Sequence, residues 1–196
     1  CNIKQIPSSF RKFFRHIEFL SINKISEILK NIYNKRFIID KNTCSIYLNN
    51  IIRKNNKILN FDDPIYSFKA IKNNVEIDNI KQAHLYDGVA LTKYLFWLKK
   101  NFYKKKISEI SASRKLLNFR KKSQKFKFLS FPTISSTGPN GAIIHYNPTN
   151  KTNRILKAGD IYLVDSGGQY EFGTTDVTRT ISLKNSNRRV KNIFTR

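Results

Sequence analysis

The spacing of apolar and polar positions divides the chain into a helical-and-strand front part, a long helical middle and a strand-rich end. Ile22, Ile25, Leu29 and Ile32 recur at helical spacing, and Ser21 stands where a helix cap belongs. Arg36 to Asp40 reads as a buried strand, and Phe61-Asp-Asp-Pro64 is a turn signal and a boundary. Residues 78–103 fit one long amphipathic helix. Its apolar side is drawn by Leu85, Val89, Leu95, Leu98 and Phe102, Asp78 is its candidate cap, and its C-terminal lysines suit the helix dipole. A second helix is expected over 108–121, capped by Ser108, with Ile110 and Leu117 inward. Short strands are expected near 131–136, 142–146, 161–165 and 175–182, with Gly138, Gly141, Gly167, Gly168 and Gly173 punctuating the turns between them. Helices in the middle and strands at the end give an α/β (α+β) reading.

Composition narrows this picture. A hydrophobic content of 40% suffices for a core. No apolar run reaches the length of a membrane span. The net charge of +24 is spread over most of the chain and is carried mainly by lysine. Asn and Ile are abundant as well, and these residues share A/T-rich codons with Lys. Codon drift accounts for all of them, whereas phosphate binding accounts for the lysines only. No specific nucleic-acid partner and no membrane partner is therefore expected, only salt-sensitive attraction to polyanions. Cys1 and Cys44 lack metal-type spacing and are too few for a disulfide framework, which suits a reduced, cytoplasmic setting.

Two acidic residues carry the chemistry. Asp165 ends the run Ile161-Tyr-Leu-Val-Asp165, and Asp176 enters the run that continues to Ile181. Two strand-like runs joined by a Gly-containing link read as a hairpin. Side chains alternate faces along a strand, so an even-numbered loop turns both aspartates to one face and lets them lie opposite each other. Neighbouring carboxylates repel unless a cation lies between them or one is protonated. Hard divalent cations take such oxygen ligands, and a pair of metals is the sharper expectation. The alternative is a pair of solvated turn residues. For His84 a packing or capping role is expected, and for Trp97 a place in the core.

The stretch from Ser130 to Tyr146, Ser-Phe-Pro-Thr-Ile-Ser-Ser-Thr-Gly-Pro-Asn-Gly-Ala-Ile-Ile-His-Tyr, resembles the Xaa-Pro aminopeptidases (aminopeptidase P). So do Val-Asp-Ser-Gly-Gly-Gln-Tyr at 164–170 and Gly-Thr-Thr-Asp-Val-Thr-Arg-Thr at 173–180, at nearly the family's spacing. Lys69 to Glu76 and Ala83 to Leu91 resemble the opening of that family's catalytic domain. The likeness runs over roughly residues 36–181 and is closest to the three-domain, eukaryotic-type enzymes. It implies a partial pita-bread fold with a curved antiparallel sheet over 66–196, preceded over 1–65 by the end of a creatinase-like α/β domain. It also implies two Mn(2+) ions per intact subunit, with Asp165 a ligand of one and Asp176 bridging both. His145 would bind substrate and act in catalysis beside the scissile bond. The implied partners are peptide substrates with proline at position two, cleaved by hydroxide activated between the metals, and a homodimer is implied for the intact protein.

Departures from the family's pattern shape a further expectation. The family uses one histidine and two glutamates beyond the aspartates, whereas His16, His84 and His145 all precede Asp165 and no Glu follows Glu171. The chain opens on Cys1 and contains no methionine. It is therefore expected to be a fragment, inactive by itself. After Thr180 the family continues with His, an aromatic and Gly, where this chain has Ser182, Leu183 and Lys184. Two other readings remain: a metal-free pita-bread module that binds peptides, histones or polyanions, and a prolidase-like dipeptidase.

Overall fold

The structure is a computed structural model and describes residues 2–195. The chain forms two compact units, 1–72 and 73–196.

In the first unit, short helices α1 (Ser8–Phe13) and α2 (Ile25–Lys30) precede strand β1 (Arg36–Ile39), helix α3 (Ile46–Arg53), strand β2 (Lys57–Asn60) and helix α4 (Pro64–Ala70). β1 and β2 pair in parallel, Arg36 opposite Lys57 and Ile39 opposite Asn60. A parallel pair needs a crossover, and α3 supplies it. Ile51 and Ile52 of α3 are buried, as is Ile39 of β1. The expected buried strand is thus only half buried: Ile38 is 61% exposed, because alternation turns it away from the face that holds Ile39. Ser21 caps a 3-10 turn, Ile22–Lys24, rather than the helix itself. Pro64 begins α4, with the Asp63 carboxylate accepting from the Ile65 amide at 2.9 Å, so the expected boundary turn opens a helix.

The second unit contains the candidate site. α5 (Asn74–Asn101) is capped by Asn73, not by Asp78. The Asn73 side chain accepts from the Glu76 amide and the Glu76 carboxylate accepts from the Asn73 amide, each at 2.9 Å, a reciprocal pair that satisfies two otherwise free donors. The inward face of α5 is Ala83, Asp87, Ala90, Leu91, Tyr94 and Leu98. Leu85 and Val89, expected inward, are 63% and 54% exposed. The two apolar stripes are rotated from each other about the axis, and the stripe with small residues and one acid fits the packed side. α6 (Glu109–Arg120) starts at the expected Ser108 cap. It turns Glu109, Ala112, Leu116 and Arg120 inward, while Ile110 and Leu117 are half-buried.

β4 (Ile134–Thr137), β5 (Ile161–Ser166) and β7 (Val177–Ser182) form an antiparallel sheet with β5 central. β3 (Phe126–Leu129) pairs with β6 (Gly168–Tyr170). Helix α7 (Arg188–Thr195) ends the described chain. One face of β5 sends Tyr162 and Val164 into a core shared with Leu91, Tyr94 and Leu98 of α5, Ala112 and Leu116 of α6, and Leu183. Each of those large apolar side chains contributes about 1.5–3 kcal/mol by leaving water. The strand expected at 142–146 is absent. A 3-10 turn occupies Gly138–Ala142, and His145 has φ 53°, a left-handed backbone that no strand accommodates.

Two glycines act differently from the turn role expected of them. A Cβ on Gly167 would lie 1.8 Å from the Thr175 carbonyl oxygen and 2.3 Å from Ser130 Oγ. A Cβ on Gly173 would stand 3.0 Å from the Ala83 methyl of α5. Neither has positive φ; both permit close approach of backbone.

Candidate metal centre

Asp165 arrives at the site by strand alternation. Tyr162, Val164 and Ser166 are buried on one face of β5, so Asp165 lies on the other, half-buried. Its register partners are Ile134 in β4 and Thr178 in β7. Thr178 Oγ1 donates to Asp165 Oδ1 at 2.8 Å and orients the carboxylate. Asp176 stands one residue before β7. Since Asp165 pairs with Thr178, the two aspartates are offset along the ladder rather than directly opposite as expected. Asp176 lies two positions before Thr178, which keeps both acids on one face.

The backbone beside Asp176 is tightly tied. Thr175 is buried, its amide donates to the Gly168 carbonyl at 2.9 Å, and its Oγ1 accepts from the Gly168 amide at 2.9 Å. Ser130 Oγ donates to the Thr175 carbonyl at 2.9 Å. The link between β5 and β7 is therefore not a simple hairpin turn. It makes the short strand β6, which pairs with β3, before it returns.

Asp165, Asp176 and His145 line one cleft of about 440 Å³, walled also by Phe131, Ile134 and Tyr146. The histidine and Asp176 are exposed. In a chain with 37 Lys and Arg residues, neither aspartate forms a salt bridge among the described residues. Two carboxylates on one concave wall without a cationic side chain suit a hard divalent ion. The set is incomplete on its own: among the described residues, no three His, Cys, Asp or Glu side chains gather closely enough to hold a metal.

Beneath the cleft lies polar structure that sequence reasoning missed. Arg120 Nε donates to Asp87 Oδ1 at 2.6 Å and Arg120 Nη2 to Asp87 Oδ2 at 3.0 Å, and both side chains are fully buried. The same Nη2 donates to Ser166 Oγ at 3.1 Å, and the Tyr170 hydroxyl donates to Asp87 Oδ1 at 2.9 Å. Burial, reinforced by the Asp87 charge, pushes the Tyr170 phenol far above its ordinary range. Tyr94 and Tyr162 join hydroxyls at 2.7 Å, and Tyr162 is pushed up to about 12, chiefly by burial. The available signal was Asp87 itself, an acid set within the apolar period Ala83, Ala90, Leu91, Tyr94. His84 bonds the Ile80 carbonyl of its own helix at 2.9 Å, and Trp97 packs on the core beside Tyr94.

This arrangement of strands, helices and paired acids has close counterparts. The profile of metallopeptidase family M24 matches residues 78–196, and the chain belongs to that family. Among its relatives are Xaa-Pro aminopeptidases. The chain is 43% identical over 174 residues to Xaa-Pro aminopeptidase ApepP of Drosophila melanogaster, covering 88% of this chain and 28% of that protein. It is 44% identical over 149 residues to a probable Xaa-Pro aminopeptidase P of Phaeosphaeria nodorum, covering 75% of this chain and 23% of that protein. The crystal structure of an X-prolyl aminopeptidase from Caenorhabditis elegans, described as a cytosolic enzyme with a di-nuclear active site, superimposes with a TM-score of 0.82. That match has 28% identity and covers 94% of this chain and 32% of the other. The mixed α/β fold is thus that of the pita-bread aminopeptidases. The chain spans about a quarter to a third of the length of these relatives.

Proposed function

We propose that the protein carrying this chain is a manganese-dependent aminopeptidase that removes the N-terminal residue from peptides with proline in second place. The observation that carries this reading is the convergence of Asp165, Asp176 and His145 on one cleft, with no Lys or Arg among the described residues paired to either acid. Asp165 would hold one ion and Asp176 would serve both, with further donors supplied from outside these residues. Bound there, the ions would supply a nucleophile at neutral pH and polarise the scissile carbonyl. Thr178 holds Asp165 by its hydroxyl, which fixes one lone pair of the carboxylate, and the residue lines the cleft. His145 binds substrate, and its imidazole N–H donates to the oxygen that gains charge in the transition state, an interaction worth about 2.7–4 kcal/mol in comparable sites. A proline in second place makes the scissile amide tertiary and deletes its N–H. The cleft therefore has to recognise the bond without a donor there.

In this proposal residues 1–65 end a creatinase-like domain and 66–196 begin the pita-bread domain. Cytoplasmic location and homodimerisation belong to it as well; among the described residues no helix is long and apolar enough to cross a membrane. Retention of both acids favours the enzyme over a metal-free binding module.

The test is hydrolysis of Xaa-Pro peptides by the protein that carries this chain, with and without manganese. Cleavage that needs the metal and is abolished in Asp176→Asn, with the circular dichroism spectrum intact, is expected. Undiminished cleavage by that variant would overturn the bridging role. The 196-residue chain alone should bind manganese weakly, and tight uptake of two ions by it would contradict the incomplete donor set.

A further inference from the structure

The mechanism leaves one buried acid unused. Glu109 opens α6 with its carboxylate fully buried, and it has no Lys or Arg ion pair among the described residues. A buried carboxylate is costly unless donors replace its water. Here the donors all come from one stretch of chain. The Thr137 amide reaches Oε1 at 2.8 Å, and the Arg154 amide reaches Oε2 at 3.0 Å. The Tyr146 hydroxyl reaches Oε2 at 2.9 Å, and Asn140 Nδ2 reaches the two oxygens at 3.0 and 3.1 Å. The position at the first turn of a helix favours the negative charge further.

These donors mark the start, the middle and the end of the segment that leaves β4 and returns toward β5. His145 lies inside it, directly before Tyr146. Its ring is exposed and makes no hydrogen bond to the described residues, so nothing in its own side chain fixes it. Its backbone is left-handed, a conformation a non-glycine residue keeps only where its surroundings impose it. The Tyr146 anchor on Glu109 is the nearest such constraint. Only a carboxylate fits the pattern: a Gln in this place would turn an NH2 group toward donors.

We propose that Glu109 is a positioning residue, whose buried carboxylate gathers the 137–154 segment and thereby sets where His145 meets the substrate. The catalytic part rests on the role given to His145 under the proposed function; the loop-ordering part does not.

A double-mutant cycle in the protein that carries this chain tests it. Glu109→Gln should lower kcat on an Xaa-Pro peptide by on the order of 10²-fold, the scale of a misplaced reacting group. The same substitution in a His145→Ala background should add little, since it acts through that ring. Equal losses in both backgrounds would make Glu109 a general stabiliser and overturn the proposal. Where Glu109→Gln does not fold, Asn140→Ala, which removes one donor to the same carboxylate, takes its place in the cycle with the same two outcomes. NMR supplies an independent readout. A single set of His145 ring signals that splits or broadens in the variant is expected, and unchanged signals would overturn the ordering role. Should the unaltered protein cleave no Xaa-Pro peptide, the proposed function fails, and the ring signals alone decide whether Glu109 orders the loop.

Discussion

The charged groups beneath the cleft and those on its wall are handled in opposite ways. Asp87 and Glu109 are fully buried, and each has its acceptor positions filled by this chain: Arg120 and Tyr170 on one, four donor groups of the 137–154 segment on the other. Asp165 and Asp176 are nearer water, and the described residues offer their carboxylates a single hydroxyl, from Thr178. The contrast separates charge that the fold consumes internally from charge that it leaves available. In a molecule this rich in lysine, two acids with no ion pair among the described residues fit the cation site of the proposed function.

The comparison can be broken most forcefully from beneath. Arg120→Met leaves Asp87 buried without its counter-ion and should cost about 3–5 kcal/mol of unfolding free energy. Urea denaturation of the chain measures it, and a cost below 1 kcal/mol would mean that water reaches the pair. Tyr170→Phe removes one donor to the same carboxylate and should cost about 1–3 kcal/mol in the same assay.

A pH series sharpens the picture. Burial raises the Tyr162 phenol in the folded chain to about 12 from its ordinary value of 10.0. The folded state therefore holds its proton where the unfolded state releases it. The stability this provides is complete below pH 10 and declines as the pH rises toward about 12, by roughly 1 kcal/mol per pH unit. Urea midpoints measured across that window should fall less steeply in Tyr162→Phe than in the unaltered chain, a comparison that cancels the titration of the lysines.

The smallest effect is expected on the wall. Asp176→Asn at its exposed position should change the stability of the metal-free chain by no more than about 0.5 kcal/mol, and Asp165→Asn, half-buried but keeping an oxygen for Thr178, by no more than about 1 kcal/mol. The same variants should lose whatever thermal shift manganese gives the unaltered chain. A loss of several kcal/mol without metal would show that these acids serve the fold.

Much of this was legible from the residues. Helix α6 starts where Ser108 announces it, and β5 and β7 follow from their alternating pattern. That the two acids share a face could be read from strand alternation, but their offset along the ladder could not, because the link between them forms β6 instead of a simple turn. Three more things were not legible. The apolar face of α5 was right at Leu95, Leu98 and Phe102, which pack in or on the core, but misplaced at Leu85 and Val89, which form a helical stripe of their own; periodicity alone cannot tell which of two stripes is covered. The loop at His145 looked like a strand because Ala142-Ile-Ile-His-Tyr146 has strand composition, while the bonds to Glu109 that bend it come from a residue far off in sequence. Glu109 itself read as an ordinary acid at a helix start, since nothing local reports that four donor groups converge on it.

Gly167 has a wider consequence. It occupies the crossing between the strand that bears one acid and the segment that bears the other, and the Thr175 carbonyl fills the space a methyl group would need. Even alanine would wedge these two stretches of backbone apart. The gap across which two cations could be shared is thus gauged by an atom that is missing, and the smallest change in the gene at that codon would reset the spacing of the whole centre.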